Sequence, residues 1–377
     1  MADMMKLQNG SDIRGIACEG VAGEAVNLTE EAGNLIGGGF ARWLAEKKGK
    51  NPDALRIGIG HDSRITADSL FAAAAKGIVA AGTKVYDCGL VSTPSMFMTT
   101  VFDEFAFDGA IMITASHLPF NRNGYKFFDR DGGLEHDDIT KILETASGLA
   151  EVDADLSGVE KVDSISVYCR FLQEKIKKSI NAAQYDKPLA GLHIVVDTGN
   201  GAGGFFVEKV LKPLGADTSG SQFLEPDGHF PNHIPNPENK EAMEAIRQAV
   251  LTNKADLGII FDTDVDRMSA VLPNGDEVNR DAIIAMMAAI IAEDYPDGTI
   301  VTDSVTSDRL SRFIEGIGMK HHRYMRGYKN VINESIRLNQ EGVVSPLAIE
   351  TSGHGALSEN YFLDDGAYMA VKLLIAL

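Results

Sequence analysis

At 377 residues with 44% hydrophobic side chains, the chain is long enough for two or three domains, each with its own core. Its 35 basic and 54 acidic residues leave a formal charge of −19, a field that opposes nucleic acid and anionic membranes, so an anionic ligand needs local cations or a metal. Cys18, Cys88 and Cys169 are odd in number, widely spaced and free of any Cys-x-x-Cys pattern, which argues against a disulfide scaffold or a cysteine zinc site.

The N-terminus carries no basic-then-apolar signal pattern, and the longest apolar run, Ala282 to Ala292, is too short for a bilayer; a soluble, reduced, cytoplasmic protein is expected. Residues 7 to 20 are punctuated by glycine and read as loop and short strand, with Arg14 either an anion ligand or a surface arginine. A helix is predicted from Thr29 to Lys47, with Thr29 as N-cap and Ala32, Leu35, Ile36, Phe40, Trp43 and Leu44 on one stripe. Leu55 to Gly60 then reads as a strand, His61 to Arg64 as a polar loop, Thr66 to Ala81 as a helix, and Thr83 to Cys88 as a second strand after Gly82.

The apolar run from Gly109 ends in Thr114-Ala-Ser-His-Leu-Pro119, which places Ser116 and His117 in a turn where polar side chains reach solvent or ligand. An ordinary strand end with Pro119 as a stop is the competing explanation. Asn123-Gly-Tyr-Lys126 follows as a hairpin that would return Lys126 toward the serine, where it is either a desolvated lysine able to exchange protons near neutrality or a solvated hairpin lysine.

The strand–loop–helix order recurs. Leu192 to Val196 leads into Asp197-Thr-Gly-Asn-Gly-Ala-Gly-Gly204 and a helix. That run satisfies G-x-G-x-x-G with Glu225 beyond it, but Asp197 and Thr198 separate strand from glycine, so tight turning and close packing explain the glycines better than a dinucleotide. The loop Pro226 to Pro237 holds His229, Asn232, His233 and Asn236 at no metal-ligand spacing and reads as a proline turn.

Leu257 to Phe261 leads into Asp262-Thr-Asp-Val-Asp-Arg267, followed by an inserted hairpin. Three carboxylates at alternate positions favour a bound divalent cation, with a solvated acidic turn as the competing explanation. A calcium EF-hand is excluded, because its glycine and glutamate positions hold Arg267 and Pro273. Oxygen ligands favour magnesium or manganese over zinc, and Arg267 would suit a phosphate sharing the ion. Later come a strand at Thr299 to Thr302, a helix ending by Gly318, the stretch Met319 to Tyr324, and the apolar run Val343 to Ile349. Glu350-Thr-Ser-Gly-His354 after that run suits vicinal sugar hydroxyls, or a capped helix start.

Strands alternating with helices at these spacings predict an α/β protein of three consecutive similar domains, with mixed, mainly parallel sheets sandwiched between helices. The expected spans are 1–155, 156–254 and 255–368, with 369–377 beginning a further domain. Acidic Glu151 to Ser164 is the first linker candidate, and Thr252 to Ala255 the second.

Taken in order, Thr114-Ala-Ser-His-Leu-Pro119, Asp262-Thr-Asp-Val-Asp-Arg267 and Glu350-Thr-Ser-Gly-His354 resemble the α-D-phosphohexomutases, the phosphomannomutase and phosphoglucomutase family, from Ser11-Asp-Ile-Arg-Gly15 to Asp364-Asp-Gly-Ala367. The resemblance implies reversible transfer of phosphate between the 1- and 6-oxygens of a hexose in a cleft between domains. Ser116 would carry the phosphoryl group, with Arg14, His117 and Lys126 around it for proton transfer and charge neutralisation. Ser116, Asp262, Asp264 and Asp266 would hold one Mg2+ per active site, and Arg267 would contact the transferring phosphate. Arg326, Tyr328 and Lys329 would orient sugar and phosphate, Glu350, Ser352 and His354 would read the sugar, and a hexose 1,6-bisphosphate would serve as activator.

Leu118, Thr263 and Val265 depart from the family's usual residues without removing a ligand. The family's fourth domain carries an Arg-x-Ser-Gly-Thr-type loop for the second phosphate, and no such loop occurs before the chain stops at Leu377, which makes a missing fourth domain the expectation. Two alternatives are a magnesium-dependent sugar-phosphate phosphatase of the haloacid-dehalogenase type, because Ile-Ile-Phe-Asp-Thr-Asp resembles its first motif, and a non-catalytic sugar-phosphate binder. The expected partner is a hexose phosphate, with neither nucleic acid nor membrane, in a monomer or dimer.

Overall fold

Residues 4–377 are described by a computed structural model, in which the chain forms two units. One runs to Ile165 and includes Asp227–His229; the other comprises Ser166–Pro226 and Phe230–Leu377.

The first unit contains, in order, β1 (Gln8–Asn9), β2 (Asp12–Ile16), α1 (Glu30–Lys48), β3 (Arg56–His61), α2 (Ala67–Ala80), β4 (Lys84–Leu90), α3 (Thr93–Met98), β5 (Gly109–Ile113), β6 (Arg122–Asp129), β7 (Gly132–Gly133), α4 (His136–Ser147) and β8 (Glu160–Lys161). The strands form one mixed sheet in the order β1-β2-β6-β5-β3-β4-β8, with β7 on β6. Central β3 is parallel to both β4 and β5, as strand–helix–strand crossovers require, while β2, β5 and β6 pair antiparallel.

Thr29 caps α1 as its sequence predicts, its hydroxyl accepting the Ala32 N–H at 3.1 Å, and Gly49 ends the helix at φ 61°. The whole predicted stripe from Ala32 to Leu44 is buried. Gly37 of α1 faces the Ala74 backbone and Gly77 of α2 faces that of Asn34, at approaches no Cβ would permit.

The expected first linker is part of this unit. β8 pairs parallel with β4, Tyr86 opposite Glu160, and the Asn34 amide both donates to the Val152 carbonyl and accepts its N–H. An edge strand needs few large apolar residues, which is why the stretch reads as a linker. The expected boundary after 155 therefore falls ahead of a strand of the same sheet.

The second unit follows with α5 (Ser164–Ile180), whose first two residues belong to the first, then β9 (Ile194–Asp197), α6 (Gly204–Phe206), α7 (Lys240–Asn253), β10 (Leu257–Phe261), β11 (Met268–Val271), β12 (Glu277–Val278), α8 (Asp281–Ala292), β13 (Thr299–Asp303), α9 (Asp308–Gly316), β14 (Lys320–Tyr324), α10 (Tyr328–Gln340), β15 (Leu347–Ile349), β16 (Gly355–Leu357), β17 (Leu363–Asp364) and α11 (Gly366–Ala376). Its strands make two sheets, β12-β11-β10-β9 and β14-β13-β15-β16-β17.

β10 runs parallel to β9, Ile260 opposite Asp197, so the expected boundary at 254/255 cuts one strand–helix–strand unit of a single sheet. The restart of pattern at Leu257 marks a second strand of that sheet. Likewise α11 starts before the expected break at 369 and is buried within this unit from Gly366 through Leu374. Among the described residues no helix is long and apolar enough to cross a membrane.

Candidate functional site

The serine turn is built on strands of the first unit. β5 is buried along its whole length, and the chain leaves it through Thr114 and Ala115 into Ser116. Ser116 sits at φ 49°, a left-handed conformation that a serine adopts only when its surroundings impose it. Its N–H donates to the Thr114 hydroxyl oxygen at 2.9 Å, and its own Oγ lies 3.3 Å from His117 Nδ1.

Lys126 stands opposite Met112 of β5, and Arg14 of β2 stands opposite Gly124, two residues from Lys126 and so on the same face of the sheet. Gly124 leaves room for the arginine stem: a Cβ there would come to 3.1 Å from Arg14 Cγ. Lys126 is buried, and Arg14 donates to Asp12 at 2.9 Å. Lys126 and Arg14 thus lie on neighbouring strands of the sheet whose β5 leads into the turn carrying Ser116 and His117.

Sequence reasoning passed over the residues beneath this turn. Arg64, 2% exposed, donates to the carbonyls of Ser116, Leu118, Pro119 and Arg122 at 2.5, 2.6, 2.8 and 2.7 Å. The available signal was the loop His-Asp-Ser-Arg, two charges placed where a buried strand ends.

The second constellation lies wholly in the second unit. The hairpin β10–β11 closes at Phe261 and Met268 and projects the loop between them, so that Asp262, Asp264 and Asp266, all buried, bring carboxylate oxygens within 4.8 Å of one another. Among the described residues this is the one cluster of three such groups. Val265 takes φ 66° to keep the loop tight.

Arg267 is 1% exposed; its backbone N–H and Nε donate to the two oxygens of Asp262 at 3.2 and 3.1 Å. Burial opposes its charge, but Asp262, Asp266 and Asp264 outweigh that and hold the guanidinium above its ordinary pKa. Three buried carboxylates with oxygen donors at this spacing fit a magnesium-like ion.

The glycine-rich stretch after β9 seats this loop. A Cβ on Gly201 would lie 2.6 Å from the Thr263 carbonyl oxygen, and the Ala202 N–H donates to that oxygen at 2.8 Å. The close backbone approach is spent on the aspartate loop, in agreement with the packing explanation of these glycines. In the proline loop, His233 is buried with Nε2 3.1 Å from both oxygens of Asp197, Asn232 donates to Asn200, and His229 belongs to the other unit, where it contacts Asp227. Within the second unit, Asn232 and His233 pair with different partners.

The sugar-loop candidates adjoin the aspartates. The Arg267 backbone bridges to His354, and the Met268 N–H donates to the Gly353 carbonyl at 3.2 Å. His354 Nε2 lies 3.5 Å from Asp266, while its Nδ1 is 2.9 Å from the Ser352 hydroxyl. Tyr328 stacks on the His354 ring at 5.4 Å, and Glu350 accepts the Gly327 N–H at 2.7 Å. Burial raises the Glu350 pKa, partly offset by that N–H and by Arg326. Arg326 is exposed and Lys329 half-buried on the same turn. The predicted residues therefore fall into two groups, four in the first unit and the remainder in the second.

Three family models match in succession: phosphoglucomutase/phosphomannomutase alpha/beta/alpha domain I over residues 5–151, domain II over 167–275 and domain III over 279–377. A phosphomannomutase/phosphoglucomutase of Pseudomonas putida is 29% identical over 354 residues, covering 93% of this chain and 72% of that protein. A phosphoglucosamine mutase of Corynebacterium jeikeium is 29% identical, covering 98% and 79%. The crystal structure of a phosphoglucomutase/phosphomannomutase family protein from Burkholderia thailandensis superposes with a TM-score of 0.78 at 27% identity, over 97% of this chain and 75% of that one. With its three α/β domains matched end to end, the chain belongs to the phosphoglucomutase/phosphomannomutase family.

Proposed function

We infer that this chain is an intramolecular phosphotransferase, an isomerase that moves phosphate between the 1- and 6-oxygens of a hexose phosphate, with mannose, glucose or both as the sugar. The observation that carries this reading is the buried aspartate cluster joined through Arg267 to the Glu350–His354 loop, in a chain matched by all three family models. The domain division it favours follows the sheets, with seams close to 165 and between β12 and α8.

In the proposed cycle, the bond from phosphorus to Ser116 Oγ breaks as a bond forms to a sugar hydroxyl oxygen, and the hydroxyl proton passes to a basic side chain beside the serine. His117 and Lys126 are the candidates for that exchange, and Arg14 offsets phosphate charge. The bisphosphorylated sugar then returns its other phosphate to Ser116, so a hexose 1,6-bisphosphate both completes the cycle and primes the free serine. Asp262, Asp264 and Asp266, with Ser116, would hold Mg2+, which supplies charge stabilisation to the transferring phosphate. Glu350, Ser352 and His354 would take sugar hydroxyls, and Arg326, Tyr328 and Lys329 would orient sugar and phosphate.

The phosphatase alternative needs Asp262 as a nucleophile. Both of its oxygens accept hydrogen bonds from Arg267, which suits a ligand held in place better than an attacking group. Incubation with glucose 1,6-bisphosphate followed by intact-mass measurement tests the reading: one added phosphoryl group, lost in Ser116→Ala, supports it. A phosphoenzyme that survives Ser116→Ala and vanishes in Asp262→Asn would establish the phosphatase instead.

A further inference from the structure

We propose that Arg64 is a positioning residue for phosphoryl transfer, clamping the backbone of the serine turn so that a strained Ser116 presents its hydroxyl in one orientation. The proposal rests on Ser116 being the phosphate carrier.

Every link lies within the first unit. Arg64 Nη2 donates to the carbonyls of Ser116 and Leu118, and Nη1 to those of Pro119 and Arg122. The other side of Ser116 is reached from the same short loop. Asp62 Oδ1 accepts the Arg64 N–H at 2.9 Å, Asp62 Oδ2 accepts the Thr114 hydroxyl at 2.6 Å, and the Thr114 Oγ accepts the Ser116 N–H at 2.9 Å. Both the N–H and the C=O of Ser116 are therefore tied to residues 62–64, which lie more than fifty positions earlier.

The chemistry of the clamp is specific to arginine. A guanidinium offers five donors in a rigid planar fork, whereas an ammonium is a compact point charge with three donors. Four backbone carbonyls from one turn match the fork. They take up the four Nη donors of a cation that is otherwise costly to bury, and its Nε lies 3.5 Å from Asp62 Oδ2. Ser116 at φ 49° is the position where such over-determination is needed, because the relaxed backbone would swing Oγ away. A displacement of about 1 Å at a reacting atom costs on the order of a hundredfold in rate.

The test compares Arg64→Lys, Thr114→Val and the double variant with wild type for folding, kcat, KM, phosphoryl uptake on Ser116 from glucose 1,6-bisphosphate, and Mg2+ affinity. A clamp predicts kcat and the rate of uptake each down about a hundredfold in Arg64→Lys, with KM changed less than about threefold and Mg2+ affinity unchanged. The double variant should be no slower than the poorer single one, since the two residues act as a unit. A folded Arg64→Lys protein with kcat within about threefold of wild type overturns the proposal. Should that variant not fold, Thr114→Val decides by the same threshold. Wild-type protein that takes up no phosphoryl group at Ser116 is a different failure, that of the functional reading itself.

Discussion

The backbone N–H of Gly366 donates to the carbonyl of Val265 at 3.1 Å, tying the first residue of α11 to the middle of the aspartate loop. Val265 holds a positive φ, and the helix start that supports it is anchored by Asp365, which caps α11 through the Tyr368 N–H at 2.8 Å. A side chain at 366 has no space: its Cβ would lie 2.7 Å from the Arg267 carbonyl carbon and oxygen and 3.0 Å from the Val265 oxygen. Gly366→Ala is expected to cost about 1–3 kcal/mol of stability by overpacking and to weaken Mg2+ binding. Denaturant unfolding and Mg2+ titration measure the two effects.

The glycine seat makes a graded counterpart. Gly201→Ala drives a Cβ to 2.6 Å from the Thr263 oxygen and 2.8 Å from its Cα, both backbone atoms, whereas at Gly203 the nearest atom is a Thr198 side-chain methyl at 3.1 Å. Gly201→Ala should lose Mg2+ affinity and mutase activity together, and Gly203→Ala should lose much less of either. Equal losses in the two variants would show that the Thr263 contact does not govern the loop.

Buried carboxylates that repel one another in the absence of a cation make the ion a stabiliser of the fold. Mg2+ at a hundredfold excess over its Kd should add about 2.7 kcal/mol of stability, read as a rise in Tm. Asp264→Asn should abolish that rise while leaving the Asp262–Arg267 hydrogen bonds in place. A chelator should remove both the rise and the activity, and Mg2+ should restore them.

Asp365 predicts an unusual pH dependence. Burial pushes its carboxyl up to about 6, against the opposing hydrogen bonds from Tyr168 at 2.6 and 2.7 Å, the Tyr368 N–H and Asn360 at 3.0 Å. A carboxyl with a raised folded-state pKa binds more protons folded than unfolded between about 4 and 6. Its contribution therefore falls as pH rises through that window, by roughly 2–3 kcal/mol. His321, held near 4 by burial and by Arg323, acts in the opposite direction over an overlapping range, since it must be protonated as pH falls. Comparing the stability of Asp365→Asn with wild type from pH 4 to 7 isolates the aspartate: the difference should shift in favour of the variant as pH rises.

Much of the local architecture was legible from the chain alone. The cap at Thr29, the buried stripe of α1, the strand from Leu257 to Phe261 and the β11–β12 hairpin after the aspartate loop follow from periodicity and turn chemistry, which act over a few residues. The order of the three polar loops also identified the family, because each loop is a short contiguous motif.

Sheet membership was not legible. β8 reads as an acidic linker because edge strands need few apolar residues, and Leu257 reads as a new domain because parallel pairing with β9 spans some sixty residues of intervening chain. The supports of the site were hidden for the same reason. Arg64 reaches carbonyls more than fifty residues away, Gly201 seats a loop sixty residues on, and Gly366 braces it from a hundred residues beyond. Which chemical groups the chain can offer was determined by the sequence, since carboxylate, hydroxyl and imidazole are properties of single residues. How they are held was decided only by tertiary structure, because backbone hydrogen bonds and glycine contacts between distant segments leave no periodic trace in the chain.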